Sequence, residues 1–382
     1  ASSRALDLLQ KVRYLRDQNP THHLVFATGT PISNSMHEVW TMMRYLQPKR
    51  LAELNIQYFD RFALTFAETK ESAEKTVAND CQTRERMSEF KNVPELVRVF
   101  REAADIQSND DLDLPVPPLL NDEIEIIPLP ISDWQTQGMQ MIQQRAEAIR
   151  SRQVDPKEDN MLKLSGDARA LSLDQRLWAT KDQSQAEDPI PESERISVED
   201  IPDDPNSKVN KAVGEIVSTW KNTESFKGTQ LVFIDFSSPH YDRFSVPVDM
   251  KEKLMLAGVP ESEIAFMQEH KDADEKKDLF DRVNRGAVRI LLGSTETMGA
   301  GVNVNQRLVR LHHMDAPWRP RDLQQREGRI IRQGNVLYAE GLIEGVQITY
   351  YVVEQTFDEF MFQTLKRKAA FIDQVMLGDP NV

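Results

Sequence analysis

Arg326, Arg329 and Arg332 recur at three-residue spacing in QQREGRIIRQG, which would put them on one face of a helix. A guanidinium is permanently charged and carries a fork of donors that matches phosphate oxygens. Upstream, GSTETMGAGVNV starts with Ser294 and Thr295 and runs through Gly299 and Gly301 to Asn303. Glycines let a backbone turn sharply or approach a ligand closely. Loop and arginines together have the chemistry of a phosphate-handling site, although each alone admits a plainer reading, as a tight turn without ligand or a solvated basic face. Gln324, Gln325, Gly328 and Gly334 in the same span make the plainer reading less comfortable. Thr28 and Thr30, at the end of HLVFATGT, could pass hydrogen bonds between a ligand and its surroundings, or serve as turn-and-cap residues.

Such side chains need a scaffold, and the flanking runs supply one. VRILLG and LVRLHHMDAP have the length and composition of buried parallel strands, whose carboxyl ends are where ligands gather. Helix and strand alternate through the second half: a helix capped by Ser207 with Val209, Val213, Ile216, Val217 and Trp220 inward, then GTQLVFIDF, a helix over Lys251–Ala257, EIAFMQE, a helix over Ala273–Asn284, and a closing VQITYYVVE before a long helix from Thr356 to Val375. This order predicts an α/β fold with a doubly wound parallel sheet. Trp134 to Arg152 forms a helix with Met139, Ile142, Ala146 and Ile149 as its stripe, and short helices follow between Asp155 and Ala179.

The first quarter reads differently. Leu6, Leu9, Val12 and Leu15 mark an amphipathic helix, His23–Ala27 a buried strand, and Asn34 or Ser35 the cap of a helix carrying Val39, Trp40, Met43 and Leu46. Leu51 to Ile106, rich in Ala, Glu, Arg, Phe and Met and free of glycine, predicts a helical insertion. Pro115, Pro117 and Pro118 end it, and EIEIIPLP alternates as a strand. A boundary near Val116 divides the chain into residues 1–116 and 117–382.

The chain has 382 residues, long enough for one large or two medium domains. No apolar run approaches the ~20 residues that span a bilayer, and no basic-then-apolar leader opens the sequence, so a cytoplasmic protein without membrane contact is expected. Its single cysteine, Cys81, excludes an intrachain disulfide and a cysteine-cluster metal site, and its NDCQTRER setting predicts a helix surface. The net charge of −14 argues against a wholesale electrostatic grip on nucleic acid. Nine acidic residues against one arginine fall between Asp182 and Asp204, however, so residues 181–206 read as an acidic flexible insertion, while arginines crowd the span from Arg282 to Arg332 and could form a locally basic surface.

With its motifs in this order, the chain resembles superfamily-two helicases and translocases, specifically the Swi/Snf-like branch of double-stranded DNA translocases. LVFATGTPISNSMHEVW looks like that branch's third motif, at the end of the first RecA-like lobe. EIEIIPLPISDWQTQGM resembles the entry into the second lobe, GTQLVFIDF the fourth motif, LLGSTETMGAGVNV with HHMDAPWRP the fifth, and QQREGRIIRQG the sixth. VQITYYVVEQTFDEFMFQTLKRK is similar to the closing strand and brace-like helix, and a further likeness is to phage and mobile-element proteins that join such a motor to a DNA methylase.

The resemblance implies a RecA-like second lobe with the end of a first, ATP and Mg2+ as cofactors, duplex DNA as partner, and roles residue by residue. Arg329 and Arg332 match the arginine fingers; Gly299, Gly301, Asn303 and Gln325 match positions near the nucleotide; Ser294 and Thr295 match contacts to the nucleic-acid backbone. Thr28 and Thr30 match the motif that couples nucleotide state to DNA grip, and Lys208 lies in a family element before the fourth motif. Gly328 stands where the branch usually has aspartate, which puts that acid's contact in doubt. The sequence contains no Gly-x-x-x-x-Gly-Lys-Ser/Thr loop and no DEAD- or DEAH-like quartet. Both would precede Ala1, so the expectation is a fragment of a translocase, inactive alone, whose nucleotide and magnesium are held mainly by the missing lobe, with a methylase as a potential fused domain. The alternatives are a non-catalytic nucleic-acid-binding or interaction module on the same fold, and a dinucleotide-binding enzyme. The second is disfavoured because no glycine-rich turn opens a helix with an acidic residue ~20 positions on.

Overall fold

A computed structural model of the chain describes residues 3–20, 24–28, 32, 35–78, 81–107, 114–185, 197–299 and 302–377. Its elements run α1 (Ser3–Gln18), α2 (Met36–Leu46), α3 (Pro48–Glu53), α4 (Phe59–Phe66), β1 (Ala67–Lys75), β2 (Cys81–Phe90), α5 (Val93–Arg101) and β3 (Glu125–Leu129). Then come α6 (Asp133–Arg150), α7 (Met161–Leu173), α8 (Gln175–Gln185), α9 (Lys208–Asn222), β4 (Thr229–Phe233), α10 (Val246–Leu256), β5 (Ile264–Phe266) and α11 (Ala273–Asn284). The last are β6 (Ile290–Gly293), α12 (Thr295–Met298), β7 (Leu308–His313), α13 (Pro320–Glu327), α14 (Val336–Ala339), β8 (Gln347–Val353) and α15 (Phe357–Leu377).

Strands β4, β6 and β7 are buried at every position, as strands covered on both faces must be. They are the middle of a six-stranded sheet, ordered β3-β8-β7-β4-β6-β5 and parallel throughout. Successive side chains of β4 point to opposite faces. Val232 joins Val209 and Ile216 of α9 and Met250 and Leu254 of α10, whereas Leu231 joins Leu279 and Val283 of α11 and Met298 of α12. The doubly wound α/β fold expected from the alternation is therefore present. β6 flanks β4 on one side and β7 on the other, so the strand order reverses around β4, and a crevice opens beyond the carboxyl ends of these three strands.

A second apolar cluster gathers the helices that precede the first long loop: Val39 and Met43 of α2, Leu51, Phe62 and Phe66, and Leu96 and Phe100 of α5. A third joins Met139, Ile142 and Ala146 of α6 and Leu164, Ala168 and Leu171 of α7 to Phe357, Met361 and Leu365 of α15, with Val77 and Ala78 from the β1–β2 connection. The last helix thus touches both halves of the chain.

Several expectations need correcting. Residues 51–106 are not wholly helical, because β1 and β2 pair antiparallel between α4 and α5. Their sequence, AETKESAEK and CQTRERMSEF, favours helix by propensity, but propensity is a weak prior that long-range contacts override. Cys81 accordingly begins a strand rather than lying on a helix. Residues 24–28 form no strand, and Val25 is 89 % exposed, since a lone apolar run without a neighbouring strand has nothing to hydrogen-bond or pack against. On α1 only Val12 is buried, while Leu6 and Leu15 face solvent. Helix α8 enters the stretch expected to be flexible, reaching Gln185, and residues 186–196 lie outside the described chain. No helix among the described residues is long and apolar enough to cross a membrane.

Candidate functional site

The crevice floor is built from three strand ends. β4 delivers Asp235, β6 delivers Ser294 and Thr295, and β7 delivers His313 and Asp315. Ser294 caps α12 and forms a capping box with Thr297, which fixes the chain where it leaves the sheet. Thr295 turns back to β4: its N–H donates to Asp235 Oδ1 at 2.6 Å and its hydroxyl to Asp235 Oδ2 at 2.8 Å. Asp315 reaches the same segment from the other side, with Oδ2 accepting the backbone N–H of Asp235 and of Phe236, each at 2.8 Å.

Arg326 locks this floor from above. Helix α13 begins with Pro at its first position, as that residue favours, ends at Glu327, and buries the Arg326 side chain completely. Nε donates to Thr295 Oγ1 (2.7 Å), Nη1 to His313 Nδ1 (3.1 Å) and to the Asp315 carbonyl (2.8 Å), and Nη2 to Asp315 Oδ1 (3.3 Å) and Asp235 Oδ2 (2.5 Å). All five N–H donors of the guanidinium are engaged. Burial pushes the Asp315 carboxyl up and the neighbouring Asp235 adds to it, against Arg326. For Asp235 burial also acts upward, but Arg326 and the two Thr295 bonds outweigh it and hold the carboxyl below its usual range. The crevice above, about 400 Å³, is lined by Asp235, Ser238, Ser294, Thr295, Glu296 and Asp322.

The three arginines do not share a helix face. Arg326 belongs to α13, which stops at Glu327, and Arg329 and Arg332 lie in the turns beyond it. Arg329 folds onto the fifth-motif loop, its Nη1 donating to the Val302 carbonyl at 2.7 Å and its Nη2 to the Gly299 carbonyl. Its Nε is buried without a hydrogen-bond partner, and the Arg332 side chain is exposed. Gly299 is required where it stands, because a Cβ there would come within 2.3 Å of the Thr295 carbonyl. Asn303 is exposed, with its carbonyl accepting from Asn284 Nδ2 at 2.8 Å, and Gln325 is half-buried on α13. Thr28 is exposed and outside any element, and Thr30 and Gly301 lie outside the described residues. Lys208 is internal, its Nζ pairing with Asp358 of α15 and donating to the Met314 carbonyl at 3.1 Å.

Not all of the crowded arginines reach the surface, although Arg285, Arg319, Arg321 and Arg332 do. Arg289 and Arg310 are buried like Arg326, the first against Glu224, the second against Glu125 and Glu215. Asp235, Asp315 and His313 are the site residues that sequence reasoning missed. The available signal was an aspartate just past the end of each of two predicted strands, in VFIDF and HHMDAP.

Residues 210–334, which include β4, β6, β7 and α13, match the family of the helicase conserved C-terminal domain. Over this span the chain is similar to helicase C-terminal domains. Residues 1–108 match a second family, described as a probable helicase domain. The chain is 20 % identical to the Defense against restriction protein B of Escherichia phage P1 over 491 aligned positions, covering 98 % of this chain and 21 % of that protein. It thus spans about a fifth of the length of that curated relative. Among solved structures, the C-terminal part of the Fun30 ATPase domain aligns over 68 % of this chain and 97 % of its own, at 15 % identity and a TM-score of 0.44. The Pyrococcus furiosus Hef helicase domain aligns over 71 % of this chain and 63 % of its own, at 12 % identity and a TM-score of 0.41.

Proposed function

We propose that this chain is part of an ATP-dependent translocase on duplex DNA, with residues 1–116 ending a first RecA-like lobe and 117–382 forming the second. The observation that carries the reading is the grip of Arg329 on the carbonyls of Gly299 and Val302, with exposed Arg332 just beyond it. That grip ties the arginine segment to the loop expected near the nucleotide. The donor set suits an anionic phosphate: the exposed guanidinium of Arg332 and the Nε of Arg329, which lacks a partner. Arg329 would exchange its two carbonyls for phosphate oxygens when the lobes close.

ATP supplies the phosphoryl group, and a complete first lobe would hold most of it together with Mg2+. This chain's part is to place two cations where charge develops, and to keep the loop of Gly299, Gly301 and Asn303 in register with Gln325. Thr295 engages its N–H and hydroxyl with Asp235 and Ser294 caps α12, so both would meet the DNA backbone from their half-exposed positions at the crevice edge. The carboxylates of Glu296 and Asp322 on the crevice wall would repel a phosphate run through its centre, so the proposed DNA path skirts the rim. Thr28 and Thr30 would couple nucleotide state to that grip. The phage relative is named for defence against restriction, and a fused methylase would be a further partner of the proposed motor.

Rejoining the chain to the rest of its parent should give DNA-stimulated ATP hydrolysis. Arg332→Ala and Arg329→Ala should each lower kcat by ~3–5 orders of magnitude, as for well-characterised arginine fingers. Full hydrolysis in both variants would sink the assignment, and DNA binding without any hydrolysis in the unsubstituted parent would favour a non-catalytic binding module.

A further inference from the structure

The crevice floor depends on an imidazole, His313, to which the resemblance assigned no role. Of the five groups that receive the Arg326 donors, four are oxygens and the fifth is His313 Nδ1, at 3.1 Å. A guanidinium offers no lone pair, so Nδ1 must accept, and the ring proton of a neutral imidazole then sits on Nε2. The ring is fully buried, stacked on Tyr350 (centroids 4.5 Å apart, 22°) with Phe233 on its other side at 6.0 Å and 21°. Nε2 has no hydrogen-bond partner, and Glu327 Oε1 lies 3.8 Å away, where it accepts instead from the Tyr350 hydroxyl. Consecutive residues of α13 therefore address opposite nitrogens of one ring: Arg326 the acceptor, Glu327 the donor side.

We infer that His313, as the Nε2-protonated tautomer, is the positioning residue that sets the side-chain geometry of Arg326 and thereby the placement of Thr295 and Asp235 at the crevice floor. The groups facing the ring are Arg326 and Glu327 of α13, Tyr350 of β8 and His312 of its own strand. Burial, then Arg326, then His312 hold the imidazole neutral well below its ordinary range, so no charge change at physiological pH disturbs the anchor. Removing the Nδ1 acceptor leaves one buried Arg326 donor unmatched and frees α13 to shift. The nucleotide arginines beyond Gly328 shift with it. The effect on hydrolysis rests on the proposed translocase function; the tautomer and the anchoring do not.

Two measurements separate these claims. In this chain, labelled with 15N-histidine, long-range 1H–15N correlation should show His313 protonated on Nε2 alone from pH 5.5 to 8; an Nδ1-protonated ring or an imidazolium would overturn the inference whatever the protein does. In the parent with its first lobe, His313→Asn keeps an acceptor at the Nδ1 position and should retain most of the DNA-stimulated kcat. His313→Gln reaches only towards the Nε2 position, and His313→Leu offers no acceptor. These two should lose on the order of 10²-fold in kcat, the scale of a 1 Å misplacement, with KM for ATP little changed. Equal losses in Asn and Gln variants at matched thermal stability, or undiminished kcat in the Leu variant, would overturn the positioning role. An unsubstituted parent without ATPase overturns the translocase reading, and the kinetic half of the inference with it.

Discussion

Arg326 illustrates how far a side chain's role can lie from what its spacing suggests. In sequence it is one of three evenly spaced cations; in the fold it is a fully buried hub whose donors are all matched to Thr295, His313, Asp315 and Asp235. Breaking such a pair leaves buried Asp315 and half-buried Asp235 without their cation. Arg326→Ala should therefore cost ~3–5 kcal/mol, the usual penalty for stranding a buried charge. Arg326→Lys should recover only part of that, since an ammonium offers three donors instead of a five-donor fork. Urea unfolding followed by tryptophan fluorescence would measure both, and a loss under ~1 kcal/mol in the Ala variant would contradict the hub role, because that is the scale of an exposed pair. What the sequence concealed here was the partner. Asp235 and Asp315 come to Arg326 through the sheet, from strand ends whose side-by-side placement only the β6-β4-β7 order creates. Arg329 and Arg332 were legible as functional candidates by type, but their departure from the helix was not, because three-residue spacing alone does not show that α13 stops at Glu327.

At the scale of elements, the strands and helices of the parallel sheet were legible because burial on both faces leaves uniform apolar runs, and β4, β6 and β7 sit where those runs are. The β1–β2 hairpin was not: its residues carry helix-favouring charge, and the information that makes it a hairpin lies in its contact with α15 and in the apolar residues that flank it, Phe66, Ala67 and Phe90. Between α6 and α7 the decisive contact is polar and also invisible to periodicity. Arg145 of α6 donates to Asp159, before α7, at 2.8 and 3.0 Å, and to Asp167 within α7 at 2.8 Å. The Arg145 bonds lead the effects that hold the Asp159 carboxyl below its ordinary range, against burial. A depressed folded pKa means the stabilisation is complete above the unfolded value of ~3.9 and is lost as pH falls through the folded one. Thermal melts should accordingly show Asp159→Asn less stable than the natural chain at pH 6, with the gap closing as pH drops from about 4 towards 2.5, the region just below the ordinary aspartate pKa. A gap that is constant, or that widens in acid, would mean Asp159 acts by packing alone.

Across the whole molecule, the question is whether the two halves fold as one unit, and the answer rests on α15. The helix lays Phe357, Met361 and Leu365 into the cluster formed by α6 and α7, and the same cluster receives Val77 and Ala78 from the hairpin connection. Its first turn is fastened to the sheet lobe by Asp358, which pairs with Lys208 of α9 and accepts the Val353 N–H at 3.1 Å, so a change at the helix start is felt on both sides. Phe357 is 1 % exposed and packs against Trp318 and Phe360 at centroid distances of 5.8 and 5.2 Å. Truncating it to alanine opens a cavity in the cluster that joins the two halves, at a cost of ~3–5 kcal/mol for a buried phenylalanine. Because that cavity lies at a junction rather than inside either core, the expected signature is a change in cooperativity as well as in stability. The N-terminal helices have their own cluster in Leu51, Phe62, Phe66, Leu96 and Phe100. Once uncoupled, they should melt separately from the sheet. Calorimetry of Phe357→Ala should show two endotherms, or a calorimetric enthalpy exceeding the van't Hoff value, where the natural chain shows closer agreement. A single transition merely shifted down would mean that the junction is held by the hairpin and α5 without help from the start of α15.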